Sequence, residues 1–112
     1  MESDPRLYKE LHFGSADFKT VAASQTDSVL GANGKVGDKL ATLVIVPATT
    51  SPGHVQIKDG SGTAIDVFVG GASSVTDLKP MTVPLNLLSR AGAWKITTGA
   101  NVSVIATGKF TD

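Results

Sequence analysis

Residues with reactive side chains are scarce in this 112-residue chain, and their spacing fits no familiar catalytic or metal-binding arrangement. The two histidines, His12 and His54, lie far apart in the sequence, and the chain contains no cysteine. Zinc sites draw on several ligands held close together, so we expect neither histidine to bind a metal. The only glutamates, Glu2 and Glu10, both lie near the N-terminus, which argues against the paired carboxylates of a glycoside hydrolase.

Two glycine-containing motifs resemble known binding loops, but each lacks residues that the chemistry requires. The stretch 59–62, Asp-Gly-Ser-Gly, lacks the alternating oxygen ligands and closing glutamate of a calcium loop. Gly34-Lys35 has the end of a phosphate-binding loop. However, Val29 stands where the first glycine would be, and Val36 replaces the required serine or threonine. Since histidine is also too scarce for a serine-type triad to stand out, the sequence predicts a protein that is not an enzyme and uses no cofactor.

The charges of the chain balance, with ten lysine and arginine residues against ten aspartate and glutamate residues. A nucleic-acid-binding domain normally carries a basic excess on one face, so we expect no nucleic-acid partner. The longest apolar run, 43–46, is far shorter than the roughly 20 residues that cross a bilayer, so we expect no membrane partner. MESDPRLYKE lacks a basic region followed by an apolar one, so we expect no signal peptide and synthesis in the cytoplasm.

The composition predicts a weakly charged surface, because only 18% of the residues are charged and 12 are glycine. Such a surface is readily buried against other subunits, since few charges need desolvating. A monomer with a low-charge surface explains the composition equally well, and composition does not decide between the two.

The clearest structural element is a β-hairpin over residues 53–69. Val55 and Ile57 alternate with polar residues, and apolar residues resume the same period after the turn. Asp59-Gly60 is a strong turn signal, because both residues tolerate the positive φ that tight hairpins need. The same reasoning predicts strands at 18–23, 28–30, 40–47, 81–88, 93–98 and 102–107, and a short strand or single turn at 74–78.

Seven or eight short strands at this spacing, about 8 to 12 residues apart, are typical of β-sandwiches and barrels. The sequence therefore predicts an all-β fold, a single antiparallel β-sandwich or jelly-roll-like domain. The pattern leaves the strand order open.

Three features predict where individual strands lie. Residues 43–46 are consecutive apolar residues, so their strand should be buried on both faces, either as a central strand or covered by another subunit. Pro80 and Pro84 favour an edge position for strand 81–88, because proline cannot donate to a ladder. Trp94, the only tryptophan, is predicted to anchor the core.

The N-terminal residues 1–19 read as an arm that precedes a β-sandwich domain at 20–112. Asp4 can cap a helix and Pro5 suits its first position. Two helical turns are marginal in water, so the arm is either a free terminus or is laid on a neighbouring subunit. In the second case the residues expected to dock on the neighbour are Leu7, Tyr8, Leu11, Phe13 and Phe18.

Four short strings add a resemblance: SQTDSVLG at 24–31, VPATTSPG at 46–53, IKDG at 57–60 and GAWKITTGANVSV at 92–104. Together they resemble small structural proteins of tailed bacteriophages, in particular capsid decoration or cement proteins and head-fibre bases. The resemblance covers about residues 24 to 110.

This resemblance implies a structural virion protein that sits on the outer surface of an assembled capsid and clamps neighbouring coat subunits. Its implied partners are the major capsid protein and further copies of itself, with a homotrimer preferred over a homodimer. Synthesis would take place in the host bacterial cytoplasm. The alternative is a phage fibre or head-fibre module that binds a receptor or glycan in a pocket beside Trp94 or Tyr8.

Overall fold

The computed structural model describes residues 17–111, which form eight β-strands and no helix. The strands are β1 (Asp17–Val21), β2 (Ser28–Val29), β3 (Lys39–Pro47), β4 (Val55–Asp59), β5 (Ile65–Phe68), β6 (Met81–Leu88), β7 (Trp94–Thr98) and β8 (Val102–Lys109). The predicted all-β class is confirmed. The predicted arm helix, with Leu7, Tyr8, Leu11 and Phe13, lies outside the described residues.

The strands form two four-stranded antiparallel sheets. Sheet A has the order β1-β8-β3-β6, and sheet B has the order β2-β7-β4-β5. The first strand of the chain pairs with the last, the second with the seventh, the third with the sixth, and the fourth with the fifth. Each connection crosses from one sheet to the other except the β4–β5 hairpin, which is the hairpin predicted from residues 53–69.

The core lies between the two sheets, so the fold is sandwich-like. Leu43 and Ile45 of sheet A belong to the same buried cluster as Ile57, Trp94 and Ile96 of sheet B. Each large aliphatic side chain buried in this way contributes about 1.5–3 kcal/mol relative to exposure. This shared cluster holds the two sheets face to face.

Bulges interrupt the ladders of sheet A near one end. Ala41 is an extra residue of β3 relative to β8, and Leu85 and Asn86 of β6 together stand opposite it. Asn86 has a φ of 54°, a conformation that asparagine tolerates better than most residues. Bulges of this kind bend and twist a strand locally.

Residues 43–46, predicted to be buried on both faces by their own domain or by another subunit, are buried on one face within the described chain. Leu43 and Ile45 are buried in the core, whereas Val44 and Val46 point to the other face and are only half-buried. β3 is nevertheless central in sheet A, because β8 and β6 pair with its two sides. Two of its four apolar side chains therefore point into the core, and the other two point to an outer face that no other part of residues 17–111 covers.

Two further predictions concern single segments. Strand 81–88 is at the edge of sheet A as predicted, with Pro84 in its middle. The segment 74–78 forms no strand. Instead, the Val75 N–H donates to the carbonyl of Thr50 at 3.3 Å, which ties this segment to the β3–β4 loop.

Two loops approach each other closely at one end of the molecule. A Cβ on Gly99 would lie 2.8 Å from the Cα of Gly53, so backbone packs directly on backbone there. The Gly99 N–H donates to the carbonyl of His54 at 2.8 Å. His54 thus serves the fold through its main chain at this contact.

Candidate interaction surface

The outward-pointing residues of sheet A form the surface that we call the A face. Cross-strand partners in a sheet point to the same side, so the strand register places these residues in rows. The A face consists of Phe18, Thr20, Thr42, Val44, Val46, Thr82, Pro84, Ser103, Ile105 and Thr107, with Lys39, Leu88 and Lys109 at one margin.

Charged side chains of the A face within residues 17–111 are confined to that margin, at Lys39 and Lys109. The rest of the face carries apolar side chains and hydroxyls only. Two of the hydroxyls, on Thr42 and Thr107, hydrogen-bond to each other across β3 and β8. Hydroxyls that already form a hydrogen bond lose little free energy when water is removed, so burying this face has a low desolvation cost.

Large apolar side chains of the A face are accessible to solvent. Phe18 is 67% exposed on β1, and Ile105 is 36% exposed on β8. Val44 lies directly beside Ile105 on the neighbouring strand and is half-buried. These three residues come from three adjacent strands: Val44 and Ile105 share one row, and Phe18 lies one row away, beside Thr107.

The outer face of sheet B, which we call the B face, has the opposite character. Lys58 forms an ion pair with Asp27 at 3.2 Å. The Gln56 amide donates to the Asp66 carboxylate at 2.8 Å across β4 and β5. Lys95 lies in the row that contains Lys58. Charged and mutually paired side chains are typical of a sheet face that stays in water.

The structure places two of the predicted site residues in different environments. Trp94 is buried between the sheets, and its indole Nε1–H donates to the carbonyl of Asp38 at 3.0 Å. Phe18, predicted as a docking residue of the arm, lies within β1 opposite Thr107 and belongs to the A face. Residues 17–19, assigned to the arm, are therefore paired with β8.

Val44 and Ile105 are residues of the candidate surface that sequence reasoning missed. The alternation of residues along β8 places Ile105 on the other face of the sheet from the buried Val104, and this could be read from the sequence. Without the strand order, no pattern places it beside Val44 and Phe18.

A second surface feature is an open recess of about 610 Å³ at the end of β6. It is lined by Gly37, Asp59, Asn86, Leu87, Leu88, Ser89, Arg90 and Trp94. Trp94 is only 3% exposed, so little of its ring is available to a ligand. The recess is thus walled mainly by Leu87, Leu88 and polar groups.

The Asp59 carboxylate in this recess has a structural task. Both of its oxygens accept the Arg90 backbone N–H at 2.9 Å, and one also accepts the Ala91 N–H at 2.9 Å. These bonds tie the β4–β5 turn to the β6–β7 loop. Within residues 17–111, no three histidine, cysteine, aspartate or glutamate side chains are grouped as a metal site would need.

Comparisons with known proteins found no relative of this chain. No protein-family model, no curated protein and no solved structure matches the chain. In the part of the chain that the structure describes, no helix is long and apolar enough to cross a membrane.

Proposed function

We propose that this chain is a structural virion protein, a bacteriophage capsid decoration or cement protein made in the host bacterial cytoplasm. It binds the outer surface of the assembled head as a symmetric oligomer, preferably a trimer, and clamps neighbouring subunits of the major capsid protein. The observation that carries the proposal is the difference between the A face, whose charges are confined to one margin, and the charged B face.

The strand order supports this assignment. We interpret the nested pairing of β1 with β8, β2 with β7, β3 with β6 and β4 with β5 as a jelly roll. Jelly rolls are used in viral capsid domains, and also in lectins. The order therefore favours both the capsid role and the glycan-binding alternative over a βαβ enzyme.

The mechanism of clamping follows from the character of the A face. A face with few charges and paired hydroxyls loses little hydration when another subunit covers it. Several weak contacts, one for each subunit of a symmetric oligomer, then act together, so that their combined strength exceeds any single contact by orders of magnitude. Because the oligomer binds only assembled coat subunits, it shifts the equilibrium towards the intact shell.

The test is to mix the purified protein with bare capsids and to image the particles. We expect stoichiometric, symmetric extra density on the outer surface. Val44→Lys places a charge in the middle of the A face and should weaken capsid binding by at least tenfold, since burying an unpaired charge is costly. Val29→Lys makes the same change on β2 of sheet B and should leave binding unaltered. Capsids without extra density, or equal loss in both variants, would refute the proposal.

The recess at the end of β6 favours one second candidate, a fibre or head-fibre module that binds a receptor or glycan. Arg90 and Asn86 supply polar groups, and Leu87 and Leu88 supply apolar walls. Small-molecule sites commonly combine these elements. A glycan array probed with the whole protein and with Arg90→Ala tests this function. Binding that Arg90→Ala abolishes would support it, and an array without signal would remove it.

A further inference from the structure

We propose that the A face of one copy receives residues 1–16 of a neighbouring copy, so that exchanged N-terminal segments join the oligomer. This inference rests on the proposed function, because it assigns the contact that makes the oligomer. It commits the A face to a second copy of this chain, so the coat subunits are bound by other surfaces of the oligomer, and Val44→Lys weakens capsid binding because it breaks up the oligomer.

The size of the A face favours a short segment over a whole folded partner. Four strands about 4.8 Å apart, each contributing about five residues, span roughly 15–20 Å in either direction, or about 300 Å². A stable interface between two free proteins needs about 800 Å² from each partner. A segment that is tethered to the oligomer has a high effective concentration, so a small contact area is enough to hold it.

The composition of residues 1–16 complements the A face. Leu7 and Leu11 are four residues apart and would share one side of a short helix, with Tyr8 next to them. A helix of two to three turns is about 10–12 Å wide and roughly 15 Å long, which is close to the size of the face. Its apolar side would cover the apolar side chains of Phe18, Val44 and Ile105, which lie in two neighbouring rows of the face.

The charges of the two surfaces are also complementary. The A face has Lys39 at one margin, and its outward-pointing described residues include no acidic side chain. Residues 1–16 contain three acidic residues, Glu2, Asp4 and Glu10, against two basic ones, Arg6 and Lys9. A segment laid with its acidic residues towards Lys39 gains electrostatic attraction there.

The place where the segment joins the fold favours exchange between copies. β1 begins at Asp17, opposite Gly108 and close to the lysine margin. The chain therefore enters sheet A from the rim of the face. Covering its own face would require the chain to reverse direction just before Asp17, whereas a neighbour can be reached without a reversal. The six steps from Leu11 to Asp17 reach about 20 Å when extended, so the face that receives Leu11 lies beside the point where the chain enters sheet A. Exchange of an identical element around a closed ring fills every face once.

The absence of cysteine from the chain makes a clean cross-linking test available. Two single variants, Leu11→Cys and Val44→Cys, carry different tags and are mixed and oxidised without capsids. We expect a disulfide-linked heterodimer, because Leu11 of one copy should lie on Val44 of another. Leu11→Cys mixed with Val29→Cys, on the B face, is the matched control and should give at least fivefold less product.

Every outcome of this test decides the proposal. A heterodimer with Val44→Cys but not with Val29→Cys supports it. No heterodimer, combined with an internal disulfide in the Leu11→Cys/Val44→Cys double variant, would mean that the segment covers its own face and would overturn it. Absence of both products would also overturn it. Capsid binding by the same preparation would then leave the proposed function standing while this inference fails.

Discussion

Trp94 offers the sharpest test of how the two sheets are held together. It is 3% exposed and belongs to the buried cluster shared by both sheets. Its Nε1–H donates to the carbonyl of Asp38 at 3.0 Å, and the same carbonyl accepts the Ser89 N–H at 2.8 Å. Trp94 thus joins β7 to the loop that precedes β3. Trp94 therefore contributes to stability through its packing in the core and through its indole hydrogen bond. We expect Trp94→Ala and Trp94→Phe to remove these two contributions to different extents.

The magnitudes follow from burial and hydrogen bonding. Truncation of a buried tryptophan to alanine costs about 3–5 kcal/mol of unfolding free energy, because transfer and cavity terms add. Trp94→Phe keeps an aromatic ring in the core and loses the indole N–H. The Asp38 carbonyl is not left unsatisfied, since Ser89 still donates to it. The lost hydrogen bond therefore costs about 1 kcal/mol, and the smaller ring brings the total to about 2 kcal/mol.

Urea unfolding followed by far-UV circular dichroism measures both variants, since the only tryptophan is itself removed and fluorescence loses its probe. For a small protein whose free energy falls by about 1–3 kcal/mol per molar urea, Trp94→Ala should lower the midpoint by 1 M or more. Val69→Ala at a 75% exposed position is the control and should change stability by less than about 0.5 kcal/mol. A loss below about 1 kcal/mol for Trp94→Ala, less than the range for a buried tryptophan, would refute its role as core anchor. Trp94→Phe with wild-type stability would refute the contribution of its hydrogen bond.

Two further predictions concern the backbone and use thermal unfolding. Gly99→Ala should cost about 1–3 kcal/mol, because a Cβ there would lie 2.8 Å from the Cα of Gly53 and force the two loops apart; an unchanged melting temperature would contradict this contact. Asn86→Ala should cost about 1 kcal/mol, whereas Asn86→Gly should be close to neutral, because φ is 54° at this position and glycine adopts that conformation without strain. Equal effects of the two substitutions would contradict the bulge geometry.

Local patterns predicted most of the strands because the signals they rely on are local. The alternation in residues 55–59 and the Asp59-Gly60 turn define a hairpin that needs no distant partner. Proline in 81–88 marked an edge strand for the same reason, since a missing N–H donor limits pairing wherever the strand lies.

The strand order and the candidate surface could not be predicted, because both depend on pairing between distant segments. β1 pairs with β8, from the opposite end of the chain, and nothing in either sequence specifies the other. Val44 shows the consequence. Its apolar neighbours predicted burial on both faces, yet its own side chain joins Ile105 on an uncovered face. A run of apolar residues does not by itself distinguish a strand that its own domain buries on both faces from a strand with one exposed face.

Asp38 is a structural residue that no pattern in the sequence singled out. Its side chain is buried, and its carboxylate accepts the Thr111 backbone N–H at 3.1 Å and the Thr111 hydroxyl at 2.7 Å. These bonds attach the residues after β8 to the loop before β3. A lone aspartate in a glycine-rich loop reads as a turn residue, and its partner lies 73 positions away.

The proposed assembly places two demands on the A face, and the use of threonine there reconciles them. A face of valine and isoleucine alone would promote aggregation of the free protomer, because exposed apolar patches associate without selectivity. A charged face like the B face would resist burial, because each ion must lose its hydration. The hydroxyls of Thr42 and Thr107 already hydrogen-bond to each other while the face is open, so this pair keeps its bond when the face is covered. A surface of this composition therefore suits the proposed subunit, whose A face is open before assembly and covered by a neighbouring copy afterwards.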